Sequence, residues 1–98
     1  MGIKLVWDES KRKANLAKHG LDFADAAWVL ESEIRLDVLV KRRGEERIQS
    51  FAYVFDRLAV LTLVHTARGD AIRVVSFRPA SQEESEVYHA WLEDPECS

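Results

Sequence analysis

A basic stripe near the N-terminus is the first feature of this sequence that could do chemistry. Its members recur at the spacing of an α-helix, which turns about 100° per residue, so they fall within an arc of about 120°. The stripe consists of Lys11, Arg12, Asn15, Lys18 and His19. Cationic and amide side chains bind nucleic acid phosphates, and histidine titrates near neutrality. Taken alone, such a stripe is also typical of a solvated helix surface.

Arginines in the second half of the chain are the other candidates. Arg47, Arg73 and Arg78 stay charged at physiological pH, and their donors match phosphate oxygens. If short turns pair Val64 with both Gln49 and Arg73, then Arg47, Gln49 and Arg73 share one sheet face. Arg78 is five residues from Arg73. Strand alternation therefore places Arg78 on the opposite face, unless a bulge or the strand end turns it.

The same alternation divides the remaining strand residues between two faces. The face with the arginines is expected to continue with Phe51, Tyr53, Thr62, Val75 and Phe77. His65 falls on the opposite face, among branched aliphatic residues. These neighbours are Leu61, Leu63, Ile72 and Val74. We interpret His65 as a core histidine rather than a catalytic one.

This set of residues would suit the cleavage of RNA without a metal ion. The reaction must deprotonate a ribose 2′-OH, stabilise the charged phosphorane and protonate the leaving oxygen. We assign Arg47, Arg73 and Arg78 to phosphate and transition-state binding, and His19 to the acid or base role. The alternative for His19 is a cap at the end of its helix. Glu45 is a second candidate base, although a carboxylate flanked by arginines is more often an ion-pair partner.

The remaining candidates would hold the RNA strand rather than react with it. Lys11 and Lys18 would position the backbone. The full predicted RNA-binding set is Lys11, Arg12, Asn15, Lys18 and Gln49. Neither a metal site nor a cofactor is expected, because the three histidines are far apart and lack the spacing of a metal motif.

Length and composition predict one domain spanning residues 1–98, with 47% hydrophobic and 32% charged side chains. The formal net charge of −3 is the wrong sign for an RNA-binding protein. However, residues 1–20 carry +3 and residues 79–98 carry −6, so a basic face on the first 78 residues is consistent with the total. No apolar run suits a membrane span or a signal peptide, which predicts a cytoplasmic protein. Cys97 is interpreted as an incidental exposed thiol.

The elements that must position these residues follow from periodicity and capping. A strand over 3–7 precedes a helix over 9–19, with Asp8 as its N-cap and Gly20 after its end. A second helix, capped by Asp22, ends near Ser32 and has a core stripe at Phe23, Ala26, Ala27 and Leu30. Strands are predicted over 34–40, 47–55, 58–66 and 71–78, with turns at 41–46, 56–57 and 67–70.

Ser81 and Glu84 form the capping box of a final helix, which Tyr88, Trp91 and Leu92 would dock. Tight connections imply an antiparallel meander. The predicted fold is therefore α+β, a mostly antiparallel sheet with helices packed on it, in the order β-α-α-β-β-β-β-α.

Three ordered segments of this sequence resemble the BrnT family of toxins. The first segment contains Trp7-Asp8, Lys11, Asn15, Lys18-His19-Gly20, Phe23 and Ala26. The second is Gly44-Glu45-Glu46-Arg47, similar to the family's G-E-x-R turn. The third is Arg73-Val74-Val75-Ser76-Phe77-Arg78 with Ala80, Glu84 and Tyr88, similar to its R-x-x-S-A-R-x-A ending. Together the segments span about residues 5–88 with the correct internal spacing.

The resemblance implies a RelE-like fold and a metal-independent ribonuclease that arrests translation. It also implies neutralisation by a BrnA-like antitoxin, with DNA bound only indirectly, through the antitoxin. A homodimer stays open as the assembly. The sequence departs from the family pattern at Phe77, where alanine is usual, and at Pro79, where a basic residue is usual. We expect a bulky Phe77 to narrow the groove that binds RNA. We also expect the loss of a cation at Pro79 to weaken phosphate binding.

Two other function classes remain as alternatives. The first is an inactive or weakened toxin homologue that binds an antitoxin and helps it repress DNA, which the departures at Phe77 and Pro79 favour. The second is a plain RNA-binding domain, but the chain lacks the aromatic signature of an RRM and the G-x-x-G loop of a KH domain.

Overall fold

Four consecutive strands pair as an antiparallel meander in the computed structural model, which describes residues 3–94. They are β2 (Leu36–Arg42), β3 (Glu45–Val54), β4 (Ala59–Arg68) and β5 (Ala71–Pro79). The short β1 (Leu5–Val6) pairs in parallel with β5, giving the sheet order β1-β5-β4-β3-β2. The α+β class and the predicted order of elements are confirmed.

The hairpin turns are tighter than predicted at both ends of the meander. Between β2 and β3, Arg43 and Gly44 both have positive φ angles, of 53° and 79°. Between β4 and β5, Gly69 has a φ of 60°. Turns with left-handed central residues match the right-handed twist of the flanking strands, so pairing continues up to a two-residue loop. The longer loops predicted over 41–46 and 67–70 are therefore wrong.

The register is as predicted between β3 and β4 but not between β4 and β5. Gln49 lies opposite Val64, which confirms the first pairing. Arg73 lies opposite Thr66 rather than Val64, and Val64 lies opposite Ser76. The register shifts between these pairs because β5 contains one extra residue, Val75, which forms a β-bulge.

The bulge decides which side chains of β5 enter the core. Val74 and Phe77 are three residues apart, yet both are buried against the same hydrophobic cluster. Phe77 pairs with Leu63 and is fully buried, so our prediction that it shares the face of the arginines and narrows the groove is wrong. A regular strand would have sent these side chains to opposite faces.

His65 lies on this core face, as predicted, and its ring has a polar partner there. The Nε2 atom of His65 is 2.8 Å from the Oγ atom of Ser50, which in turn donates to a carboxylate oxygen of Asp37 at 2.6 Å. Burial lowers the pKa of His65, with smaller opposing and reinforcing effects of Asp37 and Arg35. A neutral histidine bonded to a buried hydroxyl fits the interpretation of a core residue.

Helix α1 (Glu9–His19) begins and ends as predicted. Asp8 accepts hydrogen bonds from the backbone of Ser10 and Lys11, and Gly20 follows the helix with a φ of 70°. Small side chains allow close packing, so the sequence predicts that Ala14 and Ala17 pack on the sheet. Both residues are exposed instead. The helix faces β5 through Asn15 of the polar stripe.

Asn15 explains this orientation because it replaces a strand partner of β5. Its amide nitrogen donates to the carbonyl oxygens of Phe77 and Leu21, at 2.6 and 3.1 Å. Its amide oxygen accepts from the backbone nitrogen of Phe77 at 3.2 Å. Since β1 pairs only with Ile72 and Arg73, the outer edge of β5 at Phe77 would otherwise be unpaired. The side chain thus holds α1 along the edge of the sheet.

The predicted second helix is split into a 3₁₀ turn over Phe23–Ala26 and a short α2 (Ala27–Leu30). Phe23, Ala26 and Val29 are all fully buried. Their i, i+3, i+6 spacing matches the three-residue period of a 3₁₀ helix, which explains why the segment begins in that form.

Helix α3 (Gln82–Glu93) packs on the face opposite the 3₁₀ turn and α2. The predicted capping box between Ser81 and Glu84 is present. Tyr88 is fully buried and Trp91 packs against the same cluster, but Leu92 is 41% exposed and does not dock the helix as expected. No described helix is long and apolar enough to cross a membrane. Cys97 lies outside the described residues.

We predict that Asn15→Ala destabilises the protein by about 2–4 kcal/mol, because both backbone groups of Phe77 lose their partner. Urea unfolding measures the change. Lys13→Ala, an exposed change in the same helix, is the matched control and should stay within about 0.5 kcal/mol. An unchanged unfolding midpoint for Asn15→Ala would show that the amide does not hold α1 to the sheet.

Candidate functional site

One face of the sheet, here called the arginine face, carries Arg47, Gln49, Arg73 and Arg78. Helix α3 covers part of this face through a small hydrophobic cluster around Phe51, Val60 and Tyr88. The remainder is open to solvent. Arg78 joins the other arginines because the bulge reverses the alternation of β5, so the placement implied by strand parity alone is wrong. Phe51, Tyr53 and Thr62 lie on the predicted face.

A cavity of about 210 Å³ brings the N-terminal basic stripe to the arginine face. Lys11 of α1 contributes to its wall together with Arg47 of β3 and Arg73 of β5. The other lining residues are Glu45, Arg68, Val74 and Val75. Three of the predicted cationic residues, from three separate elements, thus surround one small volume.

Two further cavities extend this basic surface, and Arg47 lines all three. One of about 390 Å³ contains Gln49, Ser76 and Arg78 in its wall. Another, of about 350 Å³, lies beside the β2–β3 turn and is lined by Arg42, Arg43, Glu45 and Arg47. Arg47 is therefore the residue that connects the arginines of β5 with those of the hairpin turn.

Glu45 is the acidic residue within this surface, and it is paired. Its carboxylate lies 3.1 Å from Nε of Arg47 and 3.6 Å from a guanidinium nitrogen of Arg68. The hydrogen bond from Arg47 is the main reason that the pKa of Glu45 is lowered. A carboxylate with a lowered pKa is a weak proton acceptor, so this position favours the ion-pair role over the role of a base.

Arg78 is also paired, and more completely. Its two terminal nitrogens donate to the two carboxylate oxygens of Glu84 at 2.7 and 2.8 Å. Glu84 accepts further hydrogen bonds from Thr62 and from the backbone of Ser81. The bidentate bond lowers the pKa of Glu84 to about 2. A phosphate bound at Arg78 would therefore share this guanidinium with a carboxylate.

Arg73 differs from the other two arginines. Among residues 3–94 it has no ion-pair partner, whereas Arg47 is paired with Glu45 and Arg78 with Glu84. Its guanidinium lines the small cavity and is partly exposed. Arg73 thus presents a guanidinium without an ion-pair partner to the small cavity.

His19 lies at the end of α1, where it is partly buried. Desolvation lowers its pKa, and the positive charges of Lys18 and Arg78 lower it further. The ring is therefore neutral at pH 7 and can accept a proton. His19 does not line the cavity that contains Lys11. The two residues are eight apart in the helix, which corresponds to about 12 Å along its axis.

The other residues of the stripe are placed outside the cavities described here. Arg12 forms ion pairs with Glu9 at 2.6 Å and with Asp22 at 3.1 Å. The amide of Asn15 is bonded to the backbone of Phe77, and Lys18 is exposed to solvent. These contacts give Arg12 and Asn15 a structural role in holding α1. Their contact with RNA stays a prediction.

Sequence reasoning missed Arg68, Glu84 and Thr66 as neighbours of the site. Arg68 lay in a predicted turn, so its strand alternation was not considered. Glu84 is predicted as a capping residue and belongs to the family resemblance, but neither indicates its ion pair with Arg78, six residues away. Thr66 was placed at a strand end, whereas the observed strand continues past it to Arg68.

A larger cavity, of about 520 Å³, is lined by none of Arg47, Arg73 and Arg78 and differs in charge from the cavities that they line. Its wall includes the aromatic residues Trp28 and Phe55 and the acidic residues Glu31, Glu33 and Asp56. Carboxylates repel a phosphate backbone, so this cavity is unsuited to RNA. Within residues 3–94, no group of three or more acidic or histidine side chains is arranged to hold a metal ion.

Sheet, edge helix and arginine face define a small α+β protein with a cluster of cations on one face of its sheet. Residues 7–84 match the family described as the ribonuclease toxin, BrnT, of type II toxin–antitoxin systems, and the chain belongs to this family. No curated protein sequence matches the chain. Family membership indicates a ribonuclease toxin with an RNA substrate and an antitoxin partner.

We predict that Glu84→Gln makes the stability less dependent on pH in acid. The pKa of Glu84 in the folded protein, about 2, is below its ordinary value of 4.5, so the ion pair stabilises the fold above pH 4.5 and is lost as the pH falls toward 2. At pH 7 the variant should melt about 5 °C below the parent. Thermal melts between pH 7 and pH 2 test this, with Glu83→Gln as the control. Parallel curves for Glu84→Gln and the parent would contradict the assignment.

Proposed function

We propose that this protein is a metal-independent endoribonuclease toxin that cleaves RNA at the arginine face. The observation that carries the proposal is the convergence of Lys11, Arg47 and Arg73 on one cavity. Membership in a family of ribonuclease toxins supports the same reaction. Two guanidiniums and an ammonium provide the donors that a phosphodiester and its phosphorane transition state require.

Arg73 and Arg47 would bind the scissile phosphate. Arg73 has no ion-pair partner among the described residues, so it can bind the phosphorane without breaking an ion pair. Arg47 would exchange its contact with Glu45 for one with the substrate. Lys11 would neutralise the adjacent backbone from the helix side. Once the substrate is bound, these donors need little further reorganisation as negative charge develops.

His19 is the proposed base that accepts the proton of the ribose 2′-OH. Its lowered pKa keeps the ring neutral at pH 7, which is the state that a base requires. Glu45 is less suited to the role because its own pKa is lowered by Arg47. Arg78 lies near enough to His19 to lower the pKa of its ring, so we place Arg78 beside His19 on the side of the attacking ribose. The leaving 5′-oxygen takes its proton from solvent water.

The rest of the RNA strand would follow the positive charge toward the β2–β3 turn. Gln49 lines the path between Arg47 and Arg78, and Arg42 and Arg43 continue it at the turn. Lys18 extends the surface on the helix side. Exposed cations of this kind position a nucleic acid backbone without reading its sequence.

We further propose that RNA cleavage arrests translation in the cytoplasm and that a BrnA-like antitoxin neutralises the protein. The resulting complex would repress its own promoter, with DNA bound by the antitoxin. The family's place in type II toxin–antitoxin systems supports the partner. Positive charge alone does not distinguish RNA from DNA. The proposal that this chain contacts RNA therefore rests on its membership in the family.

A weakened toxin that serves as a co-repressor remains the second candidate. The pairing of Arg78 with Glu84 favours it, since a neutralised arginine binds phosphate less strongly. Pro79 also stands where the family usually has a cation. The burial of Phe77 removes the other argument, because this side chain does not reach the groove.

We predict that induced expression arrests bacterial growth, and that the purified protein cleaves RNA in EDTA.

Arg47→Ala and Arg73→Ala should each lower the cleavage rate about 100-fold to 1,000-fold, as expected when one preorganised transition-state donor is removed. Gel-based cleavage rates measure the effect. Lys13→Ala, which removes an exposed cation that lines none of these cavities, should retain the parent's rate.

Thermal melts of the same preparations separate a catalytic role from a structural one. Exposed arginine truncations shift stability by less than about 0.5 kcal/mol. Variants that melt far below the parent yet keep their specific activity would make the arginines structural. Normal growth with soluble protein would favour the co-repressor, and activity that needs a divalent ion would contradict the mechanism. Full activity of Arg78→Ala would remove Arg78 from the site.

The pH dependence of cleavage provides a test of His19. Because burial and two nearby cations hold its pKa below 6.5, we expect the rate to be constant near pH 7 and to fall at lower pH as the ring becomes protonated. His19→Gln should lower the rate about 100-fold or more and remove this acid limb. His89→Gln, on the exposed surface of α3, should keep the parent's profile. An acid limb that persists in His19→Gln would assign the base to another group.

A further inference from the structure

Thr66 carries the only buried side-chain oxygen or nitrogen without a hydrogen-bond partner among residues 3–94. The residue is 3% exposed. Other buried polar side chains are satisfied: Thr62 donates to Glu84, and Ser50 bonds to both Asp37 and His65. Since a buried hydroxyl without a partner costs free energy, an exception of this kind calls for a physical explanation.

The position of Thr66 provides that explanation. On β5 it lies directly opposite Arg73. On β3 the last aligned pair joins Ile48 with His65, so the next residues in register are Arg47 and Thr66. Thr66 therefore stands between the two arginines that line the small cavity, on the same face of the sheet. The unpaired hydroxyl belongs to the strand that separates their guanidinium groups.

We infer that the Thr66 hydroxyl is a third, uncharged donor for the phosphate that Arg47 and Arg73 bind. Both arginines are partly exposed, and their side chains can turn onto a phosphate and uncover Oγ1. The hydroxyl then donates to a non-bridging phosphate oxygen. This role rests on the proposed ribonuclease function and adds to it a residue that the electrostatic pattern does not reveal. The phosphate supplies the partner that the free protein lacks.

The competing explanation is that Thr66 is present only for its β-branched shape, which suits a central strand. Valine has nearly the same shape and no hydroxyl, so Thr66→Val separates the two explanations. If the hydroxyl is unused, valine should leave activity unchanged. If the hydroxyl binds phosphate, valine should lower activity while removing an unsatisfied buried group from the free protein.

The experiment compares Thr66→Val and Thr66→Ser with the parent for RNA cleavage, melting temperature and affinity for a non-cleavable 2′-O-methyl RNA. Thr66→Val should melt at or above the parent, yet lose about 10-fold to 100-fold in cleavage rate and bind the RNA more weakly. Thr66→Ser should retain cleavage within a few-fold. Thr62→Val, which removes a satisfied hydroxyl from the same strand, should melt below the parent.

A Thr66→Val protein that cleaves and binds RNA like the parent would overturn the inference, as would one whose loss of activity follows a lower melting temperature.

A second experiment requires no Thr66 variant: the parent is titrated with inorganic phosphate while the NMR signal of the Thr66 methyl group is followed. We expect a shift that disappears in Arg73→Ala. No shift at saturating phosphate would overturn the inference. Should the parent not cleave RNA at all, the ribonuclease proposal fails, while the titration still judges the phosphate contact.

Discussion

One extra residue in β5, Val75, is the constraint on which the arginine face depends. The bulge lets Val74 and Phe77 enter the same core while Arg73 and Arg78 emerge on the other side. In a regular strand this is impossible, because residues three or five apart lie on opposite faces. The hydrophobic effect fixes the two apolar side chains, and the bulge is the backbone solution that satisfies both. The arrangement of the arginines follows from the burial of their neighbours.

Asn15 connects this strand to the basic helix. Its amide forms hydrogen bonds with both backbone groups of Phe77, which fixes the position of α1 along the bulged strand. This position places Lys11 at the cavity and His19 close enough to Arg78 for the two charges to interact. The same interaction covers the open edge of β5, which would otherwise be a template for pairing with another chain. A structural hydrogen bond thereby sets the geometry of the candidate site.

Electrostatics divide the surface into regions of opposite sign despite a net charge of −3. The arginine face gathers cations from α1, β3, β4 and β5, and its two carboxylates, Glu45 and Glu84, are both ion-paired. The cavity beside Trp28 and Phe55 carries acidic residues instead. Total charge is therefore a poor guide to this protein's ligands, whereas local charge at one face is consistent with membership in a family of ribonuclease toxins.

The sequence by itself determined the order of elements, the helix caps at Asp8, Gly20 and Ser81, and the register of Gln49 with Val64, since these follow from local periodicity, capping chemistry and turn length. It also placed His65 in the core, since strand alternation puts this residue among branched aliphatic side chains. Only the tertiary structure decided the bulge at Val75, the burial of Phe77, the pairing of Arg78 with Glu84 and the contact of Asn15 with the backbone of Phe77. These features depend on contacts between residues far apart in the chain. A local pattern does not determine which side chains of β5 are buried in the core.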